Sequence, residues 1–382
     1  MKILYLTPGC FDKGGISRYN RYQIQALRDL YNNQNIRVLS LAGPKADDFE
    51  DPFEVYWHAN GPDLISKIKF TLQVLRLAWT WTPDLILVAH VNFSGVAKLI
   101  SMPARTKTLL NTYGLEVWSG LDTLSKWGLK KADFVISDCH YTASYLEKEG
   151  LRNNGTVKVI WDCVDLSRFF PLKEVDGQLL QRYNIPDPRD FELIISLGRI
   201  SRAAAHKGYD RLIKAFSLIH EKFPLARLVL AGKGDLVDEL KTFASELGVA
   251  KKVSFTGMVD EKHLADIYRM SFIFSLVSDR GKGRGEGIPL TPLEAMACGV
   301  PIIVGNQDGS QEAVIDGRNG FAIDPMNIEN HAAKLALLLT DQELRCEKAK
   351  NAVVMVHKYF SFEEFKNKHG ILMKELGLVS ER

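Results

Sequence analysis

The chain has 382 residues, 46% of them hydrophobic, with 49 basic against 46 acidic side chains and a net charge of +3. That length predicts two or three domains, at about 100–200 residues per domain, and the near balance of charge excludes a broad nucleic-acid surface. Five cysteines, an odd number with no C-x-x-C pair, exclude a disulfide framework or zinc ribbon and point to a reducing compartment.

The first apolar run, residues 2–7, reads as a strand and is too short for a signal peptide. No window approaches the ~18 uninterrupted apolar residues of a spanning helix. The expectation is a cytoplasmic protein, attached at most to the inner face of a membrane. Gly14-Gly15-Ile16 follows this strand and leads into a helix over 17–31. Two glycines there let backbone approach a ligand phosphate or sugar at a helix N-terminus, although a plain flexible turn fits equally. The dinucleotide fingerprint G-x-G-x-x-G is absent at this position.

Further strands are predicted at 36–42, 84–90, 107–112, 134–137 and 157–161, with helices at 63–82 and 141–149. The 63–82 helix carries two apolar stripes: Ile68, Leu72, Leu75 and Trp79, then Phe70, Val74, Leu77 and Trp81. Burial between the sheet and a neighbour explains both stripes. Trp beside Lys and Arg also suits a lipid interface, and this predicts weak membrane-surface contact through the first domain. His90, at the end of its strand, is placed to face a cleft.

A Pro- and charge-rich stretch follows, after which the alternation restarts. Strands are predicted at 193–197, 226–231, 252–255, 272–276 and 301–304, and helices at 208–222, 236–248, 261–270, 292–298 and 328–339, with helical pattern after residue 340. Alternating strands and helices imply βαβ units and parallel sheets. The expected fold is therefore α/β with two Rossmann-like domains. The expected boundaries are 1–167 for the N-terminal Rossmann-like domain, 168–190 for a linker, 191–358 for the C-terminal Rossmann-like domain and 359–382 for a final helix. Ligands of such sheets bind beyond the carboxyl ends of the strands, which puts a cleft between the domains.

Gly198-Arg199 ends the first strand of the second half and Lys207-Gly208 opens the next helix. Two cations at that edge can stabilise a leaving diphosphate; Arg202 and His206 are lesser candidates for the same work. The glycine turn 232–235 is an ordinary βα turn or a ligand contact. Glu286 and Glu294 flank Gly287-Ile288-Pro289-Leu290-Thr291-Pro292. This pattern offers a helix N-terminus to phosphate and two carboxylates to sugar hydroxyls. Thr291-Pro292-Leu293-Glu294 also fits a capping box, with Thr291 as N-cap, so Glu294 is open to a structural or a ribose-binding role. No D-x-D, H-E-x-x-H or G-x-S-x-G motif occurs. No cofactor and no metal are expected.

The run from Gly285 through Glu286 and Glu294 to Pro301 is similar to the signature of the family 4 retaining glycosyltransferases. Gly14-Gly15-Ile16, Val164-Asp165 with Phe169 and Pro171, Gly198-Arg199, Lys207-Gly208-Tyr209-Asp210, residues 232–235, Phe255-Thr256-Gly257, Gly309 with Glu312, and Gly317 with Gly320 continue the likeness in order. The resemblance implies a GT-B fold, with two Rossmann-like domains facing a central cleft and a C-terminal helix crossing back to the first domain. It implies transfer of a hexose (glucose-type or uronic acid) from a UDP-sugar to a glycan or lipid-linked acceptor in polysaccharide biosynthesis, with retention and without metal. Arg199 and Lys207 would hold the diphosphate. Glu286 would face the sugar and Glu294 the ribose. Gly287, Ile288, Pro289 and Leu290 would line the donor, with Gly198 beside it, Met258 and Val259 at the base, and Gly15 at the phosphate. Tyr113 stands where many members carry a histidine, which puts a histidine-dependent contact in doubt; Tyr113, Glu116 and His90 are the acceptor-side candidates. An epimerase or phosphorylase on the same fold, or a silent sugar-nucleotide-binding module, is the alternative.

Overall fold

The computed structural model describes residues 1–45, 53–172 and 176–378. Residues 173–175 of the expected linker and 379–382 of the expected final helix lie outside the described residues. Among the described residues the strands are β1 Ile3–Thr7, β2 Ile36–Ser40, β3 Trp57–His58, β4 Leu85–Val88, β5 Lys107–Thr112, β6 Phe134–Ser137, β7 Val157–Val159, β8 Glu192–Leu197, β9 Ala226–Ala231, β10 Val253–Phe255, β11 Ile273–Leu276, β12 Ile302–Gly305 and β13 Gly320–Ile323. The helices are α1 Gly15–Tyr31, α2 Leu64–Thr80, α3 Ser94–Ala104, α4 Leu115–Trp118, α5 Thr123–Lys131, α6 His140–Lys148, α7 Gly177–Arg182, α8 Tyr209–Ser217, α9 Val237–Glu246, α10 Leu264–Arg269, α11 Leu290–Ala297, α12 Ile328–Thr340, α13 Gln342–Tyr359 and α14 Phe362–Glu375.

Two units result: Met1–Cys163 with Phe362–Arg382, and Val164–Ser361. The first holds a parallel sheet in the order β3-β2-β1-β4-β5-β6-β7. Its strands are apolar on both sides because helices cover both faces. Along β1, Leu4 and Leu6 join the α2–α3 side, whereas Ile3 and Tyr5 join the side covered by α1 and α14, as a two-residue period requires. The final helix belongs to this unit: Phe365 of α14 meets Tyr19 of α1 edge-on at 5.3 Å. The second unit holds a parallel sheet in the order β10-β9-β8-β11-β12-β13, and α8, α9 and α12 supply its largest apolar cluster.

Helices α3 and α5 are absent from the sequence reading, and each carries a glycine, Gly95 and Gly128. Here those glycines are packing residues. A Cβ on Gly128 of α5 would lie 2.2 Å from the Gly95 amide nitrogen of α3, so only hydrogen at both positions lets the helices cross this closely. Strand β3, only two residues long, and strand β13 are likewise absent from the sequence reading.

Each sheet has a switch point where successive connections leave in opposite directions: β1/β4 in the first unit and β8/β11 in the second. Crevices for ligands open at such points, outside the carboxyl ends of the strands.

Candidate functional site

At the second unit's switch point, the segments leaving β8 and β11 bring three ionisable side chains together. Lys207 Nζ lies 2.7 Å from Glu286 Oε1, and His206 Nε2 lies 2.8 Å from the same oxygen. Burial pushes the Glu286 carboxyl up, but the Lys207 and His206 charges and hydrogen bonds more than reverse this and hold it at about 2. Glu286 is therefore ionised at neutral pH. Its Oε1 is saturated, while Oε2 has no partner among the described residues. An ionised carboxylate with one oxygen held and one available can accept hydrogen bonds from sugar hydroxyls. His206, a lesser candidate in the sequence, belongs to the centre of the site.

The two segments are stitched together by backbone. The His206 carbonyl accepts from the Asp279 amide at 2.9 Å and from Arg211 at 3.1 Å, and Arg211 pairs with Asp279 at 2.7 Å. Asp308, which sequence reasoning missed, fixes Glu286 from behind. Its Oδ2 accepts from the Glu286 amide at 2.9 Å and the Ser278 hydroxyl at 2.8 Å, and its Oδ1 from the Ser310 amide at 3.0 Å. Burial raises this carboxyl to about 6 despite those donors. The only signal in the sequence was an aspartate two residues before a serine, the pattern of an Asx turn. His206 Nδ1 and the Tyr209 hydroxyl are buried without a partner among the described residues, and both flank Lys207.

Helix α11 corrects the capping-box reading. It begins at Leu290 with Pro289 as N-cap and no side-chain cap. Thr291 is thus inside the first turn, and Pro292 is tolerated there because first-turn amides have no intrahelical acceptor to lose. Glu294 is no cap: it is 2% exposed, and its Oε2 accepts the Tyr268 hydroxyl at 2.7 Å. The side chains of Ile288, Pro289 and Leu290 are buried and Gly287 is half-buried, so what this segment offers outward is backbone.

The other expected residues fall around this centre. Arg199 is exposed just past β8 and has no ion pair among the described residues. Arg202 is not with it; it pairs at the surface with Glu239 and Asp235. Gly198 and Gly232 meet backbone to backbone. A Cβ on Gly232 would sit 1.9 Å from the Gly198 carbonyl oxygen, and φ there is +146°. The turn 232–235 is therefore explained by chain packing. Met258 is 45% exposed beyond β10, whereas Val259 is buried.

In the first unit, Gly14 caps α1 and Gly15 opens it, both exposed; a Cβ on Gly15 would meet nothing within 4 Å. His90 lies beyond β4, not on it. Its ring accepts the Asn92 amide at 3.3 Å as the cap of a 3-10 turn. Tyr113 is buried and donates to Asn20 at 2.8 Å, accepting from Asn111 at 3.2 Å. Its hydroxyl is part of a closed network. Glu116 accepts the Tyr113 amide at 2.5 Å, which fixes the α4 turn; burial raises its carboxyl.

Residues 181–354 match the family model described as glycosyl transferases group 1. A GDP-mannose-dependent alpha-(1-6)-phosphatidylinositol monomannoside mannosyltransferase of Mycolicibacterium smegmatis is 28% identical over 242 residues, 62% of this chain and 61% of that protein. Mannosylfructose-phosphate synthase of Agrobacterium fabrum is 37% identical over 211 residues, 53% and 44% of the two chains. The matches thus span about three-fifths and under half of these relatives. Among solved structures, HepE of Anabaena in complex with UDP superposes with a TM-score of 0.79 at 18% identity, covering 98% and 100% of the chains. Sucrose-phosphate synthase of Thermosynechococcus elongatus gives 0.76 at 19%, covering 100% of both. The fold is the α/β GT-B architecture of these structures, with two parallel-sheet Rossmann-like domains.

Proposed function

We propose, from the match of its second unit to the group 1 glycosyl transferases, that this protein is a retaining glycosyltransferase. It moves a hexose from a UDP-sugar to a glycan or lipid-linked acceptor in polysaccharide or glycolipid synthesis. The observation that carries the reading is the Lys207–Glu286–His206 cluster at the β8/β11 switch point. Glu286 Oε2 accepts from the sugar hydroxyls. Lys207, with donors beyond the one given to Glu286, and exposed Arg199 hold the diphosphate. The amides opening α11 add the positive end of a helix. Glu294 serves the ribose from within α11, and the segment at Met258 and Val259 meets the base.

In the reaction, the acceptor hydroxyl oxygen bonds to the anomeric carbon on the face the diphosphate leaves. The bond from that carbon to the diphosphate oxygen breaks and its electron pair stays with the leaving group. The hydroxyl proton passes to a phosphate oxygen. Negative charge develops on the diphosphate, and the two side-chain cations supply the stabilisation that a bound metal would otherwise give.

The GDP-mannose-dependent mannosyltransferase of Mycolicibacterium smegmatis favours a second donor, GDP-mannose, while the HepE complexes contain UDP or UDP-glucose. Assaying transfer from UDP-glucose, UDP-galactose, UDP-glucuronate and GDP-mannose to lipid extracts and oligosaccharides tests the reading. Transfer with retained configuration, abolished in Lys207→Ala, supports it. Inverted product would refute retention, and interconversion of the nucleotide sugar without transfer would make the protein an epimerase.

A further inference from the structure

Helix α2 has two apolar faces, and only one has a partner in the fold. Phe70, Val74, Leu77 and Ala78 are buried against the first unit's sheet and α3, with Phe70 stacked on Phe93 at 5.1 Å. Trp81 turns inward as well, under the Arg37 guanidinium at 4.4 Å. The expectation of burial therefore holds for that stripe and fails for the other. Leu64 is 73% exposed, Ile65 65%, Ile68 51%, Leu72 59%, Leu75 37% and Trp79 61%. At 100° per residue these six fall within an arc of about 100°, running the length of a helix that rises roughly 25 Å. The arc is uninterrupted by any polar side chain.

Basic residues border the arc on both sides: Lys67 on one, Lys69 and Arg76 on the other, all exposed. Neither α2 nor the adjacent α3 contains an aspartate or glutamate. The carboxylate at the helix start, Asp63, is engaged as the N-cap of Ser66. Helix α3 adds exposed Leu99, Met102 and Arg105. Among the described residues no helix is long and apolar enough to cross a membrane, so this surface lies along an interface if it meets lipid at all.

We propose that the outward face of α2 docks onto a bilayer containing anionic lipid. The apolar arc enters the boundary between headgroups and acyl chains, with Trp79 at headgroup depth. Lys67, Lys69 and Arg76 meet lipid phosphates on either flank. A second copy of the chain is a poorer occupant. A self-complementary interface through this face would set lysine and arginine borders against one another with no acidic side chain on α2 to pair with them. The proposal concerns the first unit alone and stands whether or not the second unit transfers sugar.

Sedimentation of the full chain with vesicles of phosphatidylcholine, with and without phosphatidylglycerol, tests it. The wild-type protein should pellet with the anionic vesicles and stay in solution with the neutral ones. Ile68→Glu plus Leu72→Glu should lower the partition at least tenfold, and Lys67→Gln, Lys69→Gln plus Arg76→Gln should weaken it several-fold and remove its salt dependence. All five positions are exposed, so unchanged melting and nucleotide-sugar binding will show that the variants are folded. Three results would overturn the proposal: wild-type protein that ignores anionic vesicles, variants that partition like wild type, or equal binding to neutral vesicles. A dimer dissolved by Leu72→Glu, without vesicle binding, would assign the face to a second copy instead.

Discussion

Each unit buries a polar cluster over its sheet, and the two clusters differ in charge and closure. In the first unit, Tyr5, Asn20, Gln23, Asn111, Tyr113 and His369 form one network. Gln23 accepts from Tyr5 at 2.8 Å and from Asn111 at 2.6 Å, and its amide nitrogen lies 2.9 Å from His369 Nε2. The other His369 nitrogen donates to the Phe365 carbonyl at 2.8 Å, and burial lowers the imidazole to about 4. The ring is neutral, Nε2 is its acceptor, and the network ties α14 to α1 and β5. In the second unit the cluster is ionic, only half-buried, and has Glu286 Oε2 and His206 Nδ1 to spare. A neutral network with every bond made internally specifies a fold; an ionised one with unused capacity is equipped for a ligand.

The largest expected effect breaks the second cluster. Lys207→Ala or Glu286→Gln should cut transfer by about 10²–10³-fold, the scale of losing one preorganised charge at a developing oxyanion, in protein that is less stable but still folded in the assay. A sugar-transfer assay beside a thermal melt measures both; activity lost only in proportion to the fraction unfolded would place this cluster with the first.

The pH dependence of stability comes next, and the two carboxyls of the site act in opposite directions. Glu286 is held near 2 against an ordinary 4.5. It contributes roughly 3 kcal/mol above pH 4.5, which is lost as pH falls from 4.5 towards 2. Asp308 is raised from 3.8 to about 6, so the folded state holds its proton longer and stability declines as pH rises from about 4 to 6. Urea unfolding across that range should show both slopes. Glu286→Gln should erase the acid loss and Asp308→Asn the slope between 4 and 6.

In the first unit, Gln23→Leu strands Asn111 and His369 and should cost about 1–3 kcal/mol of stability. Turnover of the folded fraction should stay as in wild type. Tyr113→Phe removes one donor and leaves the single Tyr5 proton to be shared between Gln23 and Asn20, and about 1 kcal/mol is expected. A loss of turnover in Tyr113→Phe with stability intact would restore this hydroxyl to the acceptor side.

The strand–helix alternation was legible in the sequence because parallel strands are apolar runs between helices of fixed period, and β5, β6 and β9 fall where the pattern puts them. Arg199 and Lys207 stand out in the sequence because they follow a strand end, and Glu286 because it opens a loop-to-helix junction; the structure brings Lys207 and Glu286 together. What stayed hidden depends on contacts between segments far apart. Asp308 acts on the amide of Glu286, 22 residues away. Gly95 and Gly128 look like breakers until two helices cross. Thr291 matches a capping box letter by letter, yet the helix starts two residues earlier because Pro289 already has the extended backbone of a cap, at φ −73° and ψ 139°. The two stripes of α2 are indistinguishable by composition, and only the fold decides which is covered.

The most direct test is calorimetric titration of the full chain with UDP-glucose, GDP-mannose and the free nucleotides, repeated on Lys207→Ala. The account predicts saturable binding of at least one nucleotide sugar, weakened at least tenfold by the substitution. Binding of none of them, or equal affinity in Lys207→Ala, would contradict it.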